Sequence, residues 1–197
     1  MKTWKTSLFL LFLLVGSLSG FAQRQDDALL QLLRQELQYS FDELKKQDLP
    51  PYHMSFRMTD SYVVNLSSSF GAVNSGAESR ARVLVPQIRL GSEALDNFKY
   101  ATQGAHMING RQASQGALLP LTDGFSDALR ESIWQETLAR YEFARNQYES
   151  TKSKATVSVE DEDKAPCFSE APVSSYYEAP LPDDRRQVDM EAWGNRL

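Results

Sequence analysis

The chain has 197 residues, of which 42% are hydrophobic and 24% charged, with one cysteine and a formal net charge of −5 at pH 7. This composition is ordinary for a globular protein and excludes collagen, a long coiled coil and a fully disordered chain. A single cysteine excludes a disulfide scaffold and a Cys-rich zinc module. The acidic balance argues against nucleic-acid binding, because affinity for phosphates needs a basic surface.

The first 22 residues are predicted to be a secretory signal peptide. A lysine-containing n-region precedes an apolar run from Leu8 to Val15, and residues 20–22 place small side chains where a signal peptidase acts. The alternative is a membrane anchor, but the run is shorter than the roughly 20 residues that span a bilayer. We therefore expect cleavage before Gln23 and a periplasmic or secreted protein with no membrane contact after cleavage.

Residues 26–47 predict an amphipathic helix. Asp26 and Asp27 suit its N-terminus, and Pro50-Pro51 ends it. Apolar residues recur at spacings of three and four, so they share the face that we expect to be buried: Leu30, Leu33, Leu37, Phe41 and Leu44.

Three strands are predicted next. Residues 52–59 alternate between apolar and polar side chains, which is typical of a half-buried strand. Turn signals at Asp60-Ser61 and Asn74-Ser75-Gly76 separate this strand from a second at 62–70 and a third at 77–90. Because the connections are short, we expect an antiparallel meander.

The alternation also predicts which strand residues share a face. In the first strand, even-numbered residues from Tyr52 to Met58 point one way. In the third strand, Val83 and Val85 lie on the face opposite Arg82. Pro86 cannot donate a ladder hydrogen bond, so it indicates an edge position or a bulge.

The second half of the chain is predicted to hold a helix and a tail. Residues 91–122 show no sustained period and suggest one short strand and a loop. Residues 123–150 predict a long helix, which Thr122 or Asp123 could cap. Prolines and an acidic run favour a linker or tail over 151–197. The expected buried side of the helix comprises Leu129, Ile133, Leu138, Tyr141 and Tyr148, with Trp134 beside them.

The predicted fold is therefore α/β of the α+β type. An antiparallel sheet of three or four strands packs with two long helices in a domain over residues 23–150, and a Pro-rich tail follows.

Metal binding and cysteine catalysis have weak sequence support. A zincin helix needs two histidines one turn apart with a glutamate after the first, and neither His53 nor His106 fits that spacing. Cys167 with a histidine is the minimum for a cysteine hydrolase, but it lies in the Pro-rich acidic stretch. We interpret it as an incidental thiol.

Three carboxylates and three arginines complete the candidates. Glu93, Asp96 and Asp123 could form an acid–base or Mg²⁺ group, yet nothing in the sequence fixes their separation. Arg80 and Arg82 share a strand face and, with Arg89, could meet a carboxylate or a peptide terminus. The favoured interpretation is a solvated face paired with nearby acids. Asn65-Leu66-Ser67 matches a glycosylation acceptor, but this common motif falls inside a predicted strand.

An ordered set of short stretches resembles the N-terminal domain of the TldD/PmbA metallopeptidase family, once labelled modulators of DNA gyrase. The resemblance is strongest to exported bacterial members and covers about residues 26–193. Besides the opening helix and Pro51-Tyr52, the stretches that carry it are Ser69-Phe70-Gly71-Ala72, Glu78-Ser79-Arg80-Ala81-Arg82, Gln87-Ile88-Arg89-Leu90-Gly91, Ala94-Leu95-Asp96-Asn97, Leu119-Pro120-Leu121, Phe168-Ser169 and Pro172-Val173.

The resemblance implies an α/β, non-catalytic domain that works with a later domain. In the family, that later domain carries a zinc-binding histidine helix with a further cysteine ligand and cleaves peptides, and members pair as dimers. We expect this chain to stop before that domain would begin. No position matches a ligand, so no catalytic, cofactor-binding or metal residue is carried over, and no cofactor is expected.

The function expected from the resemblance is assembly or peptide binding with a catalytic partner. An open sheet edge gives a mechanism, because an extended peptide can add to it through main-chain hydrogen bonds. Two alternatives stay open: a stand-alone exported hydrolase that uses His53 or Cys167, and an envelope binding module unrelated to peptidases.

Overall fold

Two long helices and a three-stranded antiparallel sheet form the fold in a computed structural model of the chain, as the sequence predicts for an α+β protein. The structure describes residues 27–70, 72–99, 107–108, 110–112, 115–121, 127–157, 165–169, 171–178 and 192. The elements are α1 (Ala28–Leu44), β1 (Pro51–Ser69), β2 (Ala72–Leu90), β3 (Met107–Ile108), β4 (Arg111–Gln112), β5 (Ala117–Leu119) and α2 (Asp127–Val157).

Several predicted features lie outside the described residues. These are the signal peptide at 1–22, His106, and both candidate caps of the second helix, Thr122 and Asp123. Over the described part of the chain, no helix is both long and apolar enough to cross a bilayer.

The chain divides into two units, residues 1–31 and 32–197. The described part of the first unit is the start of α1. There the Asp27 carboxylate accepts hydrogen bonds from the backbone amides of Leu29 and Leu30, at 2.9 and 3.3 Å. An aspartate N-cap satisfies amides that have no partner within the helix. The predicted role of Asp27 is confirmed.

The second unit contains the rest of α1, whose buried row differs from the predicted one. Leu32, Glu36, Ser40 and Leu44 are buried at intervals of four, whereas most of the predicted stripe is only half-buried. The row includes Glu36 because Arg130 of α2 donates a hydrogen bond to its carboxylate. The spacing of apolar residues along one helix cannot indicate an ion-pair partner that lies on another helix.

The sheet has the order β1-β2-β5, with every pairing antiparallel. The two strands predicted at 52–59 and 62–70 are one continuous strand, so the predicted turn at Asp60-Ser61 is wrong. The Asp60 carboxylate bonds to arginines on β2, which makes a polar residue acceptable inside a strand. The third strand of the sheet is β5. Residues 91–122, where we expected one short strand, hold three among the described residues, because β3 and β4 pair in a separate two-stranded antiparallel sheet.

The hairpin turn also lies elsewhere than predicted. Ser69 pairs with Ala72, so the chain reverses between these two residues, and Asn74-Ser75-Gly76 belongs to β2. Phe70 has a φ of +52°, the left-handed conformation that two-residue hairpin loops require. Residues 74–76 have a composition more typical of a turn than Phe70 has, but the pairing register of β1 with β2 places them within β2.

Pro86 lies in β2, the central strand, but at a position where that strand has one partner. Among the described residues, β5 pairs only with Arg82–Leu84, so the missing N–H of Pro86 breaks no ladder on that side. The approach of β5 depends on Gly116, whose φ is +71°. A Cβ atom there would lie 2.5 Å from the carbonyl oxygen of Leu84.

The core lies where α1, α2 and the even-numbered face of β2 meet. A buried cluster joins Leu44, Ile88, Leu90, Tyr141 and Ala144. Helix α2 begins, within the described residues, at Asp127 and extends to Val157, seven residues beyond the predicted end. Its predicted buried side is largely confirmed, since Leu129, Ile133 and Tyr141 are buried while Leu138, Tyr148 and Trp134 pack against the core.

Candidate functional site

The outer half of the β1–β2 hairpin is the first candidate surface. We call it the distal ribbon: residues Ser61–Phe70 of β1 and the turn, paired with Ala72–Ala81 of β2. Every described residue in it is exposed or half-buried, and Phe70 at the tip has a relative exposure of 107%. About ten residues per strand, at roughly 3.3 Å each, give a ribbon about 30 Å long.

The two faces of the distal ribbon differ in size and polarity. One face carries Tyr62, Val64 and Leu66, and the Tyr62 hydroxyl donates to Glu78 at 2.6 Å. The opposite face of β2 carries small side chains at Ser75, Ala77, Ser79 and Ala81. Val63, on the small-residue face of β1, is 44% exposed.

An ion-pair group fixes the base of the ribbon. The Asp60 carboxylate accepts from Arg82 at 2.7 Å and from Arg80 at 3.3 Å, and Arg82 also donates to the carbonyl oxygen of Pro120. Burial raises the pKa of Asp60, but hydrogen bonds from both arginines outweigh burial and hold that pKa below its ordinary value. The predicted pairing of Arg80 and Arg82 with a nearby acid is confirmed, but the predicted solvated face is wrong for Arg82, which is buried.

A second candidate surface lies on the other face of the sheet, at the opposite end of β1. We call it the Arg89 cluster: Arg89, Asp96, Phe98, Tyr52 and His53, with Phe168 packed against them. The Arg89 guanidinium donates to the Asp96 carboxylate, which is fully buried and also accepts the Tyr52 hydroxyl at 2.8 Å. Arg89 therefore does not join Arg80 and Arg82, because odd and even residues of β2 point to opposite faces.

Aromatic rings surround the guanidinium. Its carbon lies 4.6 Å from the ring centre of Phe98 and 4.8 Å from that of Phe168, within cation–π range. The Phe168 ring also meets Tyr52 edge-on at 6.0 Å and His53 at 4.7 Å. A residue from the predicted tail thus packs against β1 and β2.

The loop after β2 is held by two adjacent side chains. Asp96 accepts the backbone amide of Phe98 at 2.8 Å, while the buried Asn97 accepts from the amide of Leu90 at 2.9 Å and donates to the carbonyl of Ile88. The loop is therefore anchored to β2 by bonds that do not involve Phe168.

Two titratable groups of the Arg89 cluster are shifted. Burial and the neighbouring Asp96 carboxylate, outweighing Arg89, raise the pKa of Tyr52 to about 12. Burial, with the positive charge of Arg89, lowers the pKa of His53. At neutral pH the phenol is therefore uncharged, and the uncharged form of the imidazole is favoured.

The thiol of Cys167 is not arranged for catalysis with His53. It donates to the carbonyl oxygen of Ala94 at 3.4 Å, and no hydrogen bond joins it to the imidazole among the described residues. Within that part of the chain, no group of three or more His, Cys, Asp or Glu residues could hold a metal ion. Of the predicted carboxylates, Asp96 is engaged by Arg89, and Asp123 lies outside the described residues.

A groove between the two helices is the third candidate. It has a volume of about 340 Å³, is open to solvent, and is lined by Glu36, Tyr39, Arg130 and Trp134, among others. Arg130 donates to Glu36, and the Tyr39 and Trp134 rings meet edge-on at 5.5 Å. Arg130 and Glu36 neutralise each other and the two rings pack together, so these four residues offer no unpaired charge to a ligand.

Three aromatic residues at the Arg89 cluster, Tyr52, Phe98 and Phe168, were not among the predicted site residues. One signal pointed to Phe168: it is a large apolar residue in an otherwise acidic, Pro-rich stretch. No protein-family model, curated protein or solved structure matches this chain.

Proposed function

We propose that this chain is the exported, non-catalytic N-terminal domain of a TldD/PmbA-like zinc metallopeptidase, and that it assembles with a catalytic partner through the distal ribbon. The observation that carries the proposal is the outer edge of β1. Because the strand order is β1-β2-β5, that edge has no neighbouring strand among the described residues.

The composition of the edge supports strand addition. From Ser61 to Ser69 it contains no charged residue and no proline. Natural edge strands are usually protected by lysine, proline, bulges or shortness, and an unprotected one is a template for pairing. The pairing irregularity near the tip places its extra residue, Asn74, on β2, so the β1 edge stays regular.

Main-chain hydrogen bonds along such an edge supply affinity, and side-chain contacts on either face supply selectivity. The exposed Tyr62 and Val63 point to opposite faces, so both sides of an added strand would be sampled. The partner would carry the zinc-binding histidine helix that the resemblance implies for the later part of the family's chain.

The test is photo-crosslinking from a photoreactive residue at position 63 in the native host. The crosslinked protein is identified, purified and titrated with the mature chain, residues 23–197. We expect a partner with a histidine-helix zinc site. Val63→Pro and Val64→Pro are both made, because only one of two adjacent amides points outward from an antiparallel edge.

At least one of these variants should weaken the complex tenfold or more. Val173→Pro is the matched control, since Val173 is a fully exposed valine outside the ribbon. Unchanged affinity in both ribbon variants, or a partner without a zinc site, would refute assembly through this edge. Stoichiometric zinc with chelator-sensitive peptide cleavage by the purified chain would refute the non-catalytic role.

A further inference from the structure

The segment Ala165–Ser169 occupies the Arg89 cluster in the way that a bound peptide occupies a receptor. The amide of Cys167 donates to the carbonyl oxygen of Glu93 at 2.6 Å, and its own carbonyl accepts from Arg89 at 3.4 Å. Both main-chain groups of one residue are therefore held by the loop after β2 and by β2 itself. Neither bond depends on which side chain Cys167 carries.

The next residue supplies a side-chain anchor. The Phe168 ring lies between Tyr52, His53 and the Arg89 guanidinium, and it is half-buried there. An aromatic ring in this position gains burial, edge-on ring contact and cation–π attraction together. Main-chain bonds beside one ring pocket form a recognition site for a short extended peptide with an aromatic residue.

The two sides of the contact differ in how they are held. The receptor side is fixed without Phe168, because Asp96 holds Arg89 and Asn97 ties the loop to β2. The occupying segment has no regular secondary structure, and its own Pro166 and Ser169 are exposed. The following residues 171–178 are exposed throughout. Segments of this kind open locally at low free-energy cost.

We propose that the Arg89 cluster is a binding site for an extended, aromatic-bearing segment of a partner protein, and that residues 165–169 are its tethered intramolecular competitor. This site is separate from the distal ribbon and does not depend on the proposed function. A short tether gives an effective concentration on the order of millimolar. A partner segment must therefore outcompete Phe168 before it binds.

The experiment uses the mature chain and a capped peptide spanning residues 165–169 with Cys167→Ser, labelled for fluorescence anisotropy. Phe168→Ala in the protein removes the competitor's anchor, so we expect the peptide to bind this variant at least tenfold more tightly than the unmodified chain. The same peptide with Phe168→Ala should bind neither. Phe70→Ala is the matched control protein, because Phe70 is a fully exposed phenylalanine at the far end of β1.

A second measurement needs no protein variant. Cys167 is the chain's one thiol and its hydrogen bond to Ala94 exists only while the segment is seated. Saturating peptide should therefore raise the rate of thiol alkylation severalfold. Equal peptide affinity for the unmodified and Phe168→Ala chains, no binding to either at millimolar peptide, or an alkylation rate that the peptide leaves unchanged would overturn the proposal.

Discussion

Asp96→Asn should be among the most destabilising single substitutions in this protein. The Asp96 side chain has no exposed surface, and its carboxylate accepts hydrogen bonds from Arg89, the Tyr52 hydroxyl and the Phe98 amide. An amide in its place keeps the shape but turns an NH₂ group toward donors. The Arg89 side chain, only 14% exposed, then loses its counter-charge.

The size of the effect follows from the cost of a buried charge without its partner. Removing one member of a buried ion pair costs about 3–5 kcal/mol of unfolding free energy. For a domain of 150–250 residues, each kcal/mol lowers the melting temperature by about 2–4 °C. We therefore expect a loss of about 6–20 °C, measured by circular dichroism and checked by urea unfolding at pH 7.

The matched control is Asp42→Asn. Asp42 is exposed and accepts hydrogen bonds from Gln38 on the surface of α1, so its substitution should change stability by no more than about 0.5 kcal/mol. Adding Arg89→Met to Asp96→Asn should restore part of the loss, because the uncompensated charge disappears. A loss below about 1 kcal/mol for Asp96→Asn would refute the view that this carboxylate neutralises Arg89 in the fold.

Three further predictions concern pH and the backbone. Because the pKa of His53 is lowered in the fold, the unfolded chain binds a proton at this residue before the folded chain does. The free energy of unfolding should therefore fall as the pH drops below about 6.5, and it should fall less steeply in His53→Gln. Urea titrations at pH 7.5 and pH 5 measure both effects. The pKa of Tyr52 is raised to about 12, so the contribution of its hydroxyl to the free energy of unfolding is complete below pH 10 and is lost between pH 10 and 12. The difference in unfolding free energy between the unmodified chain and Tyr52→Phe should therefore shrink over that interval. Gly116→Ala should destabilise the chain more than Gly110→Ala, by thermal melting. Both glycines have positive φ, but only at Gly116 does a Cβ meet Leu84, so equal losses would contradict the close approach of β5.

The sequence predicted those features whose causes are local. The buried side of α2 follows from helical periodicity, and Asp27 at the start of α1 follows from capping chemistry. The strand faces around Val83 and Arg82 were also correct, since alternation depends only on the strand itself.

The features that the sequence did not predict arise from contacts between distant residues. Asp60-Ser61 has the composition of a turn, and only Arg82, 22 positions away, shows why it stays in a strand. Arg89 and Cys167 are 78 positions apart. Neither periodicity nor spacing relates positions so far apart, so the contact between the tail and the sheet had no local signal beyond the isolated Phe168.

The ion-pair group at the base of the distal ribbon also has a mechanical consequence. A rotation of about 10° at that base would displace the tip, about 30 Å away, by about 5 Å. A small rotation at the base would therefore carry Phe70 through a wide region of solvent. Salt screens the exposed Arg80–Asp60 contact, whereas it screens the partly buried Arg82–Asp60 contact much less. Added salt should therefore make rotation of the distal ribbon easier, while the Arg82–Asp60 contact keeps the ribbon attached to the rest of the sheet.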